Sequence, residues 1–175
     1  MLKAIENIEP SNVLQIVTDN AKNCQVAGEE IEKIHKHIFW SPCVCHTSNL
    51  IFKYFASALS WLRDTYKARK NIVKYYINHT HILVTFRAHS KLKLLKIAKT
   101  IFASHYTLLT HLFHCREQLI TTICLSKRKN LVKNVRFWTK VADTIKKEDF
   151  WDEVKNTVQI TKPLFLLIKF CDWEE

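Results

Sequence analysis

One glycine and three prolines in 175 residues leave this chain few places to turn sharply. Reverse turns of most kinds need the positive φ that glycine adopts without cost, or the fixed φ of proline. A chain poor in both is expected to run in long helices with few hairpins. Apolar side chains make up 47% of the residues and charged ones 25%, the balance of a globular protein and not of a disordered one. The length allows one domain with a sizeable core, or a domain with an appendage.

Against that helical background, two short apolar runs near the start stand out. Val13 to Val17 stops at Thr18-Asp19-Asn20, and Ile38 to Trp40, in a strand of about His37 to Trp40, stops at Ser41-Pro42-Cys43-Val44-Cys45-His46. Between them, about Lys22 to Lys36 has helical period, with Val26, Ala27, Ile31 and Ile34 as its inner face. The pattern predicts a parallel β-α-β unit. Strand one, broken only by Gln15, is expected to be covered on both faces. Asn20 is placed to cap the helix, and Pro42 to end the second strand's ladder. Gly28 lies mid-helix, where it costs about 1 kcal/mol relative to Ala, so it is read as allowing close approach to a strand.

From His46 onward the period is helical: His46–Ala58, with Leu50, Ile51, Tyr54 and Phe55 at helical spacing, Trp61–Asn78, about Thr80–Ile97, Ser104–Ser126 and a last helix opening on Glu148-Asp149. Leu109, Leu112, Phe113, Leu119, Ile120, Ile123 and Cys124 form one apolar stripe. A basic loop, Lys127 to Lys133, follows it, and Pro163 is expected to kink or interrupt the last helix. Residues 1–11 read as a polar lead-in. The fold class is therefore α/β, mostly α.

Ligands of parallel β-α-β units gather at the carboxyl ends of the strands. Asp19 and the Cys43/His46 pair are expected side by side there. A carboxylate at a strand end suits a divalent metal, but it suits the capping of the next helix equally. Cys43-x-x-His46 has possible zinc spacing without a second ligand pair, so no zinc is predicted. His111, His114 and Cys115, like His79 and His81, read as ordinary helix residues. The five tryptophans read as core, with base stacking as the alternative.

The 27 Lys and Arg against 16 Asp and Glu give a formal charge of +11, which favours polyanions, nucleic acid before an anionic membrane surface. Lys67–Lys70, Lys91–Lys96 and Lys127–Arg136 are the basic segments that could meet phosphates, or simply face solvent. No apolar stretch reaches the roughly 18 residues of a membrane span, and the N-terminus lacks a signal-peptide layout. Six cysteines without a framework pattern read as reduced thiols in the cytoplasm or nucleus.

The residues Ile16–Asn23 (IVTDNAKN), Ala27–Glu29 (AGE) and Phe39–Leu50 (FWSPCVCHTSNL) together resemble plant hAT-type transposase-like proteins. The likeness continues through Trp61–Lys70, Ile77–Leu83, Glu148–Val154 and Thr161–Leu164. It implies a ribonuclease-H-like catalytic core over residues 1–60, partial and reduced to the β-α-β unit, followed by a helical insertion over 61–175. It implies DNA as partner, a nuclear location, and Mg²⁺ or Mn²⁺ held by three acidic residues in a complete core. Asp19 matches the second of the three and is the metal-binding candidate, while Cys43 and His46 match the family's Cys-x-x-His element. The first and third acidic residues have no counterpart here, nor do a BED-type zinc finger and a dimerisation segment. Asn49 and Ile101 stand where the family has Asp and Arg. The expectation is a fragment or domesticated remnant without activity of its own, its open sheet edge covered by a protein partner or a second copy. The alternative is a non-catalytic module that binds nucleic acid or protein.

Overall fold

The computed structural model describes residues 1–95, 103–128 and 135–171. Ile101, the basic stretch 129–133 and Trp173 fall outside them. Nine α-helices and one two-stranded parallel sheet occur among the described residues, so the fold is α/β and mostly α. The chain divides into two compact units, residues 1–51 with 166–175, and residues 52–165.

Unit one opens on α1 (Leu2–Ile8), a helix within the stretch read as a lead-in. Its Ile5 joins Ile31 and Ile38 in a small core, with Leu2, Val13 and Ile16 against it. β1 (Gln15–Thr18) pairs in parallel with β2 (Phe39–Pro42), in the register Gln15 to Phe39 through Thr18 to Pro42. Both strands begin later than the apolar runs suggest. His37 instead precedes β2 and hydrogen-bonds through Nε2 to the Pro10 carbonyl, 2.8 Å away. Pro42 does not cut the ladder short. The N–H groups facing β1 belong to alternate residues, among them Phe39, bonded to the Leu14 carbonyl, and Cys43, bonded to the Thr18 carbonyl. The nitrogen of Pro42 points the other way, where a donor is not needed.

α2 (Lys22–Ile34) crosses between the strands and covers one sheet face. Its buried positions are Gly28 and Ile31, whereas Val26 and Ile34 are exposed, so the inner face is rotated from the expected one. The reason is Trp40. A Cβ at Gly28 would lie 2.2 Å from Cγ of the indole, so the ring occupies the space that glycine leaves. The opposite sheet face carries Gln15, Val17, Phe39 and Ser41, and Val17 and Phe39 are more than half exposed. Strand one is thus covered on one face, not two.

α3 (Val44–Ala58) buries Ser48 and Phe52, while Leu50, Ile51 and Tyr54, expected as its apolar stripe, are exposed. In unit two, α4 (Ser60–Asn78) and α5 (Thr80–His89) pack with α6 (Ala103–His114), α7 (Arg116–Arg128) and α8 (Val135–Lys146). The stripe read as one helix is two. It breaks at Cys115, whose N–H is shared between the His111 and Leu112 carbonyls and whose side chain is buried. Phe113 and Cys124, read as part of the stripe, are exposed. α9 (Glu148–Cys171) continues through Pro163. Pro163 and Gln159, whose carbonyl loses its helical donor, are both exposed, so that carbonyl is open to solvent.

The core of unit two is aromatic. Tyr75, Tyr76, Phe86, Trp138 and Trp151 are buried with Ile72, Leu109, Leu119, Ile145 and others. Tyr76 donates its hydroxyl to the Leu119 carbonyl at 2.9 Å and Trp151 its indole N–H to the Ile145 carbonyl at 2.8 Å. Those two polar tips are therefore satisfied inside the apolar layer, whereas the Tyr75 hydroxyl is buried without a hydrogen-bond partner among the described residues. Arg69, 1% exposed, donates to the Leu95 carbonyl at 3.2 Å, and burial pulls its guanidinium down to about 10. His79 stacks on Tyr75 and His111 bonds the Lys93 carbonyl, consistent with ordinary helix residues.

Candidate functional site

The carboxyl ends of β1 and β2 hold all three residues singled out from the sequence. The bond from the Cys43 N–H to the Thr18 carbonyl, 2.6 Å, carries the ladder one step past β2. That step sets Cys43 beside the Thr18-Asp19 peptide. Cys43 then opens α3, because its carbonyl accepts from the N–H and the hydroxyl of Thr47, both at 2.9 Å. His46 lies one turn into α3.

Asp19 is held by local bonds. Its Oδ1 accepts the Ala21 N–H at 3.0 Å, satisfying a donor just ahead of α2 in an Asx-type turn. This bond holds the carboxyl below its ordinary range, and the Cys24 thiol, donating to the same carboxylate, lowers it further. The same contact raises the Cys24 thiol, since its proton is shared with an anion. Asn20, expected as the cap, instead donates from Nδ2 to the Thr47 hydroxyl at 3.0 Å. It therefore ties the β1 end to α3. Thr18 completes the arrangement by accepting the Trp40 indole N–H at 2.8 Å. Trp40 N–H is itself bonded to Glu32 at 2.7 Å.

Four participants lay outside the sequence reading: Thr18, Cys24, Trp40 and Thr47. Cys24 had a signal, since a side chain five residues past Asp19 and one turn into the helix faces back toward its start. Trp40 had a weaker one, an aromatic facing the chain's only glycine.

A Mg²⁺ or Mn²⁺ centre wants about six hard oxygen donors. The strand ends supply one carboxylate, already engaged by Ala21 and Cys24, beside two thiols, an imidazole and an amide. These residues do not by themselves fit a two-metal centre. Among the described residues no three His, Cys, Asp or Glu side chains gather where a metal ion could be held. Among them, too, no helix is long and apolar enough to cross a membrane.

Comparison with known proteins bears on the same segment. Curated proteins and solved structures yield no match. The family described as a domain of unknown function (DUF659) matches residues 1–72, which include β1, α2, β2, α3 and most of α4. That domain is found in hAT-type transposase-like proteins of plants, and the Asp19, Cys43 and His46 cluster lies inside the matched segment.

Proposed function

We propose that this chain derives from a hAT-type DNA transposase and that, alone, it neither cuts nor joins DNA. One observation carries the reading. Asp19, at the carboxyl end of β1 and inside the family-matched segment, serves as a turn and helix-start residue through Ala21 and Cys24. The position suits a catalytic carboxylate, while the bonds it makes are those of a structural one. In this reading residues 1–60 correspond to part of a ribonuclease-H-like core and 61–175 to its helical insertion. Asp19 would contribute to Mg²⁺ or Mn²⁺ binding only with the missing acidic groups supplied from elsewhere. Cys43 joins the strand end to the start of α3 through its N–H and carbonyl, and the location is nuclear.

The second reading is a non-catalytic module that binds nucleic acid or protein. The basic helices of unit two favour a DNA partner, and the half-exposed Val17 and Phe39 favour a protein or second copy on the open sheet. Incubation of supercoiled plasmid with the purified chain and Mg²⁺ or Mn²⁺ tests the first claim. The expected result is no nicking. Nicking that disappears in Asp19→Ala would overturn it.

A further inference from the structure

We propose that the groove between α4 and α8 is where unit two grips the sugar–phosphate backbone of nucleic acid. The proposal rests on the nucleic-acid partner named above and gives it a place on the chain. Its first support is the division of charge. Residues 52–165 carry 22 Lys and Arg against 7 Asp and Glu, a formal +15. Residues 1–51 with 166–175 carry 5 against 9, a formal −4. The net charge of +11 is therefore a property of the helical unit, and the β-α-β unit opposes it.

Within unit two the described helices concentrate the charge along one line. On α4, Arg63, Lys67, Lys70 and Lys74 recur at intervals of four, three and four, all exposed, which stacks them on one helical face. α8 packs beside α4 and presents Arg136 and Lys140 to solvent. A depression of about 270 Å³ lies between the two helices, floored by Ala68, Ile72 and Val141 and bordered by Lys67, Asn71 and Lys140. A wider hollow of about 590 Å³ shares Lys140 and extends it to Arg136 and Lys147. Four cations thus border a continuous groove.

Two carboxylates also border it. Asp64 stands 3.5 Å from Lys67, both well exposed, and an open pair of that kind contributes little. Asp143 lines the wider part. The cations outnumber them two to one. Asn71 and Thr144 supply uncharged hydrogen-bonding groups between the ammonium groups, the mixture that phosphate contacts use. An anionic membrane is the poorer fit. Interfacial helices need a broad apolar face beside their lysines, and among the described residues the exposed large apolar side chains include none from α4 or α8.

The test is fluorescence anisotropy of a labelled mixed-sequence DNA duplex with the full chain across a KCl series. Combined Lys67→Gln, Arg136→Gln and Lys140→Gln is expected to lower the slope of log K against log salt by about one per residue. Lys3→Gln, Lys22→Gln and Lys36→Gln together, on unit one, are expected to leave it unchanged. Unchanged binding in the first variant, with the wild type binding, overturns the groove and spares the DNA partner. An equal loss in the second variant does the same. No binding by the wild-type chain at low salt overturns both. Binding to phosphatidylserine vesicles that the first variant loses, while its DNA binding persists, assigns the groove to a membrane and overturns the proposal. The conservative Lys67→Arg and Lys140→Arg are expected to bind as wild type, which separates loss of charge from loss of fold.

Discussion

Gly28 shows how one residue decides the approach of a helix to a sheet. Helix propensity alone favours alanine there by about 1 kcal/mol. The Trp40 ring occupies the space of the added methyl, and overpacking of that kind costs about 1–3 kcal/mol. Gly28→Ala is therefore expected to destabilise in urea unfolding, and to stabilise in a Trp40→Ala background. Asp19 gives a second test at the same scale. Its carboxyl is lowered by the Ala21 N–H and then by the Cys24 thiol. Their contribution is present above the ordinary carboxyl pKa and is lost as pH falls through the lowered value. In Asp19→Asn the Cys24 thiol loses its anionic acceptor and should return toward its ordinary range. Its alkylation at pH 8 is expected to quicken. Unchanged kinetics would show that the thiol contact is not made in solution. The sequence made Asp19 legible as a strand-end carboxylate but left its use open. The choice depends on where Ala21, Cys24 and His46 come to lie.

At the scale of elements, period identified helices better than it placed their ends. The β-α-β order, the close approach at Gly28 and the long helices were readable. Hydrophobic spacing is local, and it survives without knowledge of the partner. The break at Cys115 was not readable, because apolar residues on both sides keep a helical spacing across it. The faces of α2 and α3 were misjudged for a related reason. Val26, Ile34, Leu50 and Ile51 satisfy the pattern but point to solvent, so spacing does not reveal which apolar stripe finds a partner. α8 was not among the helices read from the sequence, although Trp138, Val141, Ala142 and Ile145 recur at intervals of three, one and three and all four are buried. α9 contributes the largest fully buried side chain, Trp151, with Arg116 lying over its ring. Trp151→Ala is expected to cost about 3–5 kcal/mol in chemical denaturation. A loss under about 1 kcal/mol would mean that this part of the core is not packed as described.

Across the whole molecule, the surface chemistry of the two units differs. Of the large apolar side chains exposed among the described residues, most belong to residues 1–51 and 166–171, while the excess of positive charge belongs to 52–165. An open sheet with Val17 and Phe39 toward solvent invites pairing with another chain. Phe39→Lys is expected to reduce self-association in analytical ultracentrifugation while leaving the circular dichroism melting curve nearly unchanged. A lowered melting temperature with unchanged association would instead make Phe39 part of the unit's own packing. The single glycine has a further consequence, and it falls on the unfolded chain. Gly28 is taken up by a helix–strand contact, so every other residue keeps a side chain that narrows its backbone freedom. The denatured ensemble therefore holds fewer conformations than that of a glycine-rich chain of equal length, and folding gives up less entropy.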